Sequence, residues 1–499
     1  MRALGKRWHG SLALKGAAAL LVVGLGDFVF WQQQQWAGVQ GIFGLGLVAA
    51  LLIARPAVRR DKRALVALAL ASLYACAQLW DPSPLAFALF WVAIGCATLL
   101  PGTARFDDGW RWFQRLFVHG FKSLIGPLID LTIVTRARRH RPAGPRGLRR
   151  SLPVLVLPLL GSALFVWLFA QANPVIEQLF AALSLPEIDA LTVLRVMLWG
   201  LLLLLTWGVL RPRPPRRLLG TADSTGDVML PGVSLASVTL SLIAFNALFA
   251  LQNLMDLAYL SGVAALPEGI TLADYAHRGA YPLVITALLA ALFVLVTMRP
   301  GSRTAASPLV RRLVTLWIAQ NLVLVASAAL RTWDYVEAYS LTILRLSALL
   351  WMGLVAVGLV LVLWRMLAGK SAAWLLNANL ASAGLLLTGV AFVDLGAVSA
   401  QWNVAHAREI DGDGAVLDLC YLDELRGSAL PALIELDQRR LPGELGNNVG
   451  QLRSLAQLRL NHWGNWSLLR DQRMAEAKAA PASVTDEPHF TLDCQYERD

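Results

Sequence analysis

Charge is scarce in this chain. Only 15% of its 499 residues are Asp, Glu, Lys or Arg, against about a quarter in an ordinary soluble domain. That shortage excludes a solvated globular surface over most of the length. Cysteine is nearly absent as well, with four residues and no CxxC pair, which argues against a zinc or thioredoxin-like site. The seven histidines are dispersed, with no HExxH and no i, i+4 pair, so no metal centre is expected. Asp411 and Asp413 in DGDG lack the distal glutamate of an EF-hand and read as a turn. No GxSxG, Walker or GxGxxG motif occurs, and no repeat of fixed period is visible. Nothing in the sequence implies a cofactor.

What fills the chain instead is hydrocarbon: 57% hydrophobic residues, 18 tryptophans and a mean hydropathy of +0.55. A window such as Ala190 to Leu210 offers the roughly 20 apolar residues that a helix needs to cross ~30 Å of bilayer. Apolar runs of this kind predict about eleven spanning helices, near 12–31, 37–54, 64–80, 85–101, 151–171, 190–210, 233–256, 279–298, 309–330, 341–364 and 375–399. The expected fold is therefore an all-α polytopic transmembrane bundle over 1–399. Arg2, Lys6 and Arg7 precede the first run in the manner of a secretory signal. Its length and the QQQQW that follows, without a small-residue cleavage site, predict an uncleaved first helix.

The connections alternate in charge. Basic residues gather at the N-terminus and in 55–63, 136–150, 211–217, 299–312 and 365–370. The intervening loops are neutral, acidic or mixed. Lysine and arginine in short loops mark the cytoplasmic side, so the N-terminus is expected inside and, after an odd number of crossings, the C-terminus in the periplasm. The net charge of +11 resides in these loops and not on one amphipathic surface, so nucleic acid is not an expected partner and the lipid bilayer is.

Two polar regions interrupt the pattern. Residues 102–150 contain FQRLFVHGFKSLIG, which predicts an amphipathic helix on the cytoplasmic membrane surface or packed beneath the bundle. The tail from Gln401 holds ten basic and sixteen acidic residues. Apolar residues at three- and four-residue spacing predict a small helical extracytoplasmic module over 400–478, and 479–499 reads as disordered. Cys420 and Cys494 would both lie on the oxidising side and could close a disulfide.

Ionisable groups inside hydrocarbon are costly and are functional candidates by default. Asp27, Arg195, Asp256, Arg345 and Asp394 are the inserted ones, with Arg331 at the end of the ninth helix. The topology places all six toward the periplasmic face. Asn246, Gln252, Asn253 and Asp256 share one side of the seventh helix at 100° per residue. Arg331, Tyr335 and Tyr339 would share a side if that stretch is helical, with Thr342 and Arg345 beyond it. Two readings fit: the acids and arginines satisfy only each other, with snorkelling and an aromatic belt, or they form a site for a ligand or an envelope partner. Polar groups near the midplane are few, with Asn246, Gln320 and Asn321 the main ones.

Several phrases carry a resemblance: GLGDFVFW, LADYAHRGAYPLV, ALRTWDYVEAYSLTILRL and WNVAHAREIDGDGAVLDLCYLDELRGSALPALIELDQR. Together they resemble a bacterial family of multi-spanning membrane proteins known only as a domain of unknown function (the 4153/4173 type). The resemblance covers most of the chain; its most specific part is the arrangement of Arg331, Tyr335, Tyr339, Leu341, Thr342 and Arg345. It implies membrane location and fold and supplies no activity. Gly24-Leu25-Gly26-Asp27-Phe28 also resembles the GxGD signature of presenilin-type proteases. Such an enzyme needs a second carboxylate on a preceding helix and an intramembrane PAL. Here no helix precedes, and the only PAL, 431–433, is in the tail.

Three functions remain in view. A non-catalytic envelope sensor or assembly partner suits the one-sided charges and the lack of catalytic motifs. A transporter of small molecules or lipid suits the helix count and Pro153 and Pro158 within a span. A membrane enzyme on a lipid-linked substrate would use an aspartate as base and arginines for phosphate.

Overall fold

The computed structural model describes residues 2–33 (2–11 as backbone only), 38–104, 106–127, 129–130, 161–162, 189–215, 217–220, 234–261, 285–286, 289–290, 292–299, 301–410, 412–461 and 466–480. Among these the regular structure is helical throughout, with no strand. Among the described residues eight helical spans are long and apolar enough to cross a membrane, and Val39–Ala54 is a shorter apolar helix beside them. The expected span at 151–171 lies almost wholly outside the described residues, and that at 279–298 is described only in part.

The first half comprises α1 (Arg2–Gly26), α2 (Val39–Ala54), α3 (Lys62–Trp80), α4 (Pro84–Leu99), α5 (Gly109–Leu124) and α6 (Ala190–Leu210). The second comprises α7 (Leu235–Leu260), α8 (Pro308–Tyr339), α9 (Ile343–Leu367) and α10 (Ala372–Val390). Most of these starts, though not that of α2, are written in a polar residue that caps the first turn, where amide groups lack intrahelical acceptors. Asp61 accepts from the Arg63 amide before α3, Ser83 precedes Pro84 at the head of α4, and Ser234 and Ser237 form a reciprocal box before α7. Ser307 and Pro308 do the same for α8 and Ser371 for α10.

Leu47, Leu51, Ile94 and Leu210 are fully buried at the centre of the first half. In the second, Trp317 sits among Phe245, Phe249 and Phe293 with ring centroids 5.3, 5.9 and 5.7 Å away. The Tyr74 hydroxyl meets the Thr388 hydroxyl at 2.8 Å and so joins α3 to α10. Leu20, Leu240, Leu344 and Leu385 remain exposed, as a surface solvated by lipid requires.

α5 is amphipathic as its sequence predicts and packs against the bundle along one face. Trp112 and His119 are buried against the bundle, while Phe113, Phe117 and Phe121 project from it, Phe121 being 69% exposed. Its first amide, on Gly109, donates to Asn377 Oδ1 of α10 at 2.8 Å.

Two boundaries depart from expectation. α8 does not end near residue 330 but runs to Tyr339, so Asp334 and Glu337 lie in helix and not in a turn. The chain then breaks at Ser340, whose φ of 70° a non-glycine residue seldom adopts, and Thr342 caps α9. The last predicted span does not continue to 399: α10 stops at Val390 and Asp394 caps a separate helix, α11 (Leu395–His406).

Beyond α11 lie α12 (Leu419–Glu424), α13 (Leu430–Gln438), α14 (Gly443–Leu460) and α15 (Leu468–Ala479). These helices surround their own core of Leu422, Leu430, Leu433, Leu436 and Leu452. At its centre Arg453, fully buried, donates to Asp437 at 2.5 Å and to the carbonyls of Ala477 and Ala480. Hydrogen bonds fix this assembly to one end of the bundle: the Gly38 amide to the Trp466 carbonyl, and Asn403 to both polar groups of Leu341. The Ile343 amide donates to the Tyr421 hydroxyl at 2.8 Å. Cys420 is disulfide-bonded, and Cys494, its expected partner, lies outside the described residues, as do Asp411 and the rest of 481–499.

Close approach of α2 and α3 depends on a missing side chain. A Cβ on Gly41 would collide with the Ala75 carbonyl oxygen and the Leu79 side chain, whereas one on Gly24 meets nothing within 4 Å. Gly41→Ala is therefore expected to destabilise the purified protein by about 1–3 kcal/mol through overpacking. Gly24→Ala should not lower thermal stability in detergent and should raise it slightly, by the helix propensity gained, up to about 1 kcal/mol.

Candidate functional site

Hydrocarbon solvates a lone carboxylate poorly, so the first question for each inserted charge is its partner. Asp27 opens a π-helical turn, Asp27–Gln32, at the end of α1. Arg195 on α6 donates to it through Nε at 2.7 Å and Nη2 at 2.6 Å, and Trp199 Nε1 adds a bond of 2.8 Å. This two-pronged geometry is what a planar guanidinium offers a carboxylate. The guanidinium also lies 5.5 Å from the Trp199 ring.

Asp256 near the end of α7 is only 2% exposed and Arg331 on α8 8%. Arg331 Nη2 approaches Asp256 Oδ2 at 3.2 Å; the Ser327 hydroxyl donates to the same oxygen at 2.9 Å and Gln252 Nε2 to the other at 3.1 Å. The shared face of α7 is thus directed at α8. Asn246 donates to the Leu313 carbonyl at 3.1 Å and Asn253 to that of Gln320 at 3.1 Å. Asn321 returns its amide to Trp317 in its own helix. The amide nitrogens of Asn246, Asn253 and Asn321 are thus used in helix-to-helix and intrahelical hydrogen bonds, while the side-chain oxygens of Asn246, Asn253 and Gln320 are buried without a hydrogen-bond partner among the described residues.

Tyr335 and Tyr339 do share a side of α8, with ring centroids 5.0 Å apart. Arg345 stacks over Tyr335 at 4.0 Å and donates to the carbonyls of Tyr339 and Ser340. It thereby satisfies the end of α8, where carbonyls lack intrahelical donors and carry partial negative charge. Thr342 receives the Arg345 amide. Sequence reasoning grouped Arg345 with the carboxylates; the break at Ser340 directs it to backbone instead.

Asp394 is the largest correction. It lies between helices and not inside a span, and its partner is Arg473 on α15, which donates to it at 2.5 Å. Sequence reading missed Arg473 altogether. The six charges are therefore not one cluster: they divide into two interhelical pairs, a backbone cap, and a link from the bundle to the C-terminal helices.

That link borders a cavity of 670 Å³ between the α3–α4 turn and the C-terminal helices. Asp81, Gln78 and Phe87 line it from the bundle, and Arg426, Ser428, Arg470 and Arg473 from the other side. Burial pushes the Asp81 carboxyl above its usual range and the charge of Asp394 adds to this, with Arg473 opposing. For Asp394 burial acts upward too, but the hydrogen bond and charge of Arg473, with help from Ser428, hold it below the usual range. Arg473 is 7% exposed, and its Nε has no hydrogen-bond partner among the described residues. Arg426 stands at φ 52°, a left-handed conformation that costs a non-glycine residue about 1–2 kcal/mol. Its exposed side chain makes no ion pair or hydrogen bond to a described residue. Among the described residues no group of three or more His, Cys, Asp or Glu could hold a metal ion.

The fold and these pairs define a multi-pass integral membrane protein with a polar cavity where its C-terminal helices meet the bundle. The chain belongs to the family described as Domain of unknown function (DUF4153), which matches residues 8–436. No curated protein and no solved structure matches it.

Removing one partner of the buried pair strands the other. Asp256→Ala is expected to cost about 3–5 kcal/mol, and the double change Asp256→Leu with Arg331→Met to recover most of it, measured as thermal unfolding in detergent. At the cavity the two carboxyls act in opposite directions. The depressed Asp394 contributes stability above the ordinary carboxylate range, lost as pH falls through its folded value. The raised Asp81 contributes stability below that range, lost as pH rises through its folded value. Asp394→Asn should then destabilise and Asp81→Asn stabilise at neutral pH, both differences shrinking on acidification toward pH ~3.

Proposed function

We propose that this protein is a non-catalytic sensor or assembly partner of the bacterial inner membrane, with its N-terminus cytoplasmic and its C-terminal helical module in the periplasm. The cavity beneath that module receives a small anionic ligand. The observation that carries this reading is Arg426, held in a left-handed backbone conformation at the cavity wall with no ion pair or hydrogen bond to a described residue. The left-handed turn that ends α12 fixes Arg426 at the cavity wall, and an exposed guanidinium without a partner among the described residues is available there to an anion. Arg470 and the spare Nε of Arg473 line the same space, and Phe87, Leu425 and Leu460 supply an apolar wall.

The orientation rests on the basic connections at 55–63, 211–217, 299–312 and 365–370, which favour the cytoplasmic side. A transporter would keep substrate-binding polar groups near the midplane, where Asn246 and Asn253 are engaged with α8. An enzyme using Asp27 or Asp256 as a base would have to release it from an arginine first.

Arg426→Gly separates fold from function. It relieves the left-handed strain, so it should raise stability by about 1 kcal/mol while abolishing the ligand response. The check is thermal unfolding of the full chain against inorganic phosphate, glycerol phosphate and short carboxylates. A ligand at about 100 times its Kd stabilises the wild type by about 2.7 kcal/mol. Failure of every anion to shift the wild type, or an equal shift in Arg426→Gly, would sink the reading. Reporter fusions after Asp499, one active only outside the cytoplasm and one fluorescent only inside, test the orientation; fluorescence would overturn it.

A further inference from the structure

Among the described residues the opposite end of the bundle carries an imbalance of charge that the C-terminal site does not explain. Lys15 of α1 lies within electrostatic reach of Arg55, which follows α2, of Arg211, which follows α6, and of Asp130. Asp130 is held by Arg211 at 3.2 Å, by Arg213 at 2.7 Å and by Trp207 Nε1 at 2.7 Å. Arg55 donates to the Thr98 carbonyl at 2.8 Å, and Arg213 through Nη2 to that of Gly126 at 2.8 Å. Arg213 Nη1 is buried with no hydrogen-bond partner among the described residues. Among the described residues two arginines thus pair with Asp130, Lys15 lies in reach of it and Arg55 lies in reach of Lys15, and a half-buried group of this kind lacks bulk water to screen it. His119, in reach of Arg55 and Arg213, adds no charge: burial, with those two arginines, lowers its pKa to about 4, so it is neutral at pH 7.

His119 also belongs to a second feature. A cavity of 280 Å³ runs between α4, α5 and α6, walled mainly by apolar side chains that include Trp91, Leu116, Leu204 and Val209. Its polar members are His119 and Ser123, at the edge where the Arg213 amide stands 3.5 Å from His119 Nδ1. A cationic end joined to an apolar channel, next to a helix whose exposed face is Phe113, Phe117 and Phe121, has the polarity of one molecule that a bilayer supplies in abundance.

We propose that this end of the bundle holds an anionic phospholipid, its phosphate among Lys15, Arg55, Arg211 and Arg213 and one acyl chain in the groove between α4, α5 and α6. The phosphate supplies the negative charge that Asp130 alone does not. The chain fills a space in which protein atoms are missing. Basic pockets between spans near the cytoplasmic surface suit such headgroups. This site is independent of the cavity beneath the C-terminal helices and stands or falls without it.

The test uses the full chain, purified in detergent and stripped of lipid, then titrated with phosphatidylglycerol or phosphatidylcholine and followed by native mass spectrometry. Phosphatidylglycerol should bind about tenfold or more tightly, with Arg213→Gln and Lys15→Gln each losing about fivefold, as one basic contact near the surface predicts, and Arg213→Lys largely retaining it. Gly120→Leu guards against loss of fold. Gly120 lines the groove with open space around its Cα and leucine is the better helix former, so this variant should fold normally, keep every charge and still bind phosphatidylglycerol less tightly. Equal affinity for the two lipids overturns the proposal. So does a Gly120→Leu protein that binds like the wild type, or displacement of the lipid by free glycerol phosphate at the same concentration, which would mean an anion pocket that needs no chain.

Discussion

A carboxylate in hydrocarbon must find a cation on a neighbouring helix, and this constraint sets how the bundle is put together. α1 is joined to α6 through Asp27 and Arg195, and α7 to α8 through Asp256 and Arg331. Each pair sits near a helix end, where desolvation is less severe than at the midplane. Each is completed by neutral donors, Trp199 in one and Ser327 with Gln252 in the other. Apolar packing between membrane helices gives little preference for one neighbour over another, since lipid tails are equally apolar. Directional pairs of this kind supply the register that packing leaves open.

The same rule operates outside the spans, with different partners. The C-terminal helices contain a fully buried pair, Arg453 and Asp437, and the guanidinium also closes the end of α15 by binding carbonyls. Asp394 and Arg473 then attach these helices to the bundle. The result is a polar seam with a cavity in it. At the other end the rule is incompletely met among the described residues, where Lys15, Arg211 and Arg213 gather at Asp130 and Arg55 lies close to Lys15.

The spans were legible because their signal is composition over about 20 residues, which tertiary contacts do not alter. So were Asp27, Arg195, Asp256 and Arg331, whose charge stands out against an apolar run. The common face of Asn246, Asn253 and Asp256 followed from helical geometry and is the face turned to α8. The assignment of Arg345 and Asp394 was not legible in the same way. Both depend on helix ends, at Ser340 and Val390, set by single residues inside otherwise continuous apolar stretches. A local signal did exist, since Thr342 and Asp394 each precede an apolar run as N-caps do. Arg473 and Arg453 left a weaker trace. Arg453 falls on the same helical face as Val449 and Ala456, a charged residue where an apolar one belongs, but its partner sixteen residues earlier could not be chosen from pattern alone. Long-range pairing is a property of the fold, and periodicity does not encode it.

The separation between Asp394 and Arg473, 79 residues along the chain, places the cavity late in the life history of the molecule. While the ribosome is still adding the C-terminal helices, the bundle already presents Asp81 and Asp394 as two neighbouring acids without their guanidinium. A product that stopped before Leu468 would carry all of its spans and yet leave Asp81 and Asp394 with Arg426 as the one arginine of the cavity wall already made. Completion of translation therefore reverses the local sign of the surface, and a protease or chaperone that reads charge could tell a finished copy from an unfinished one.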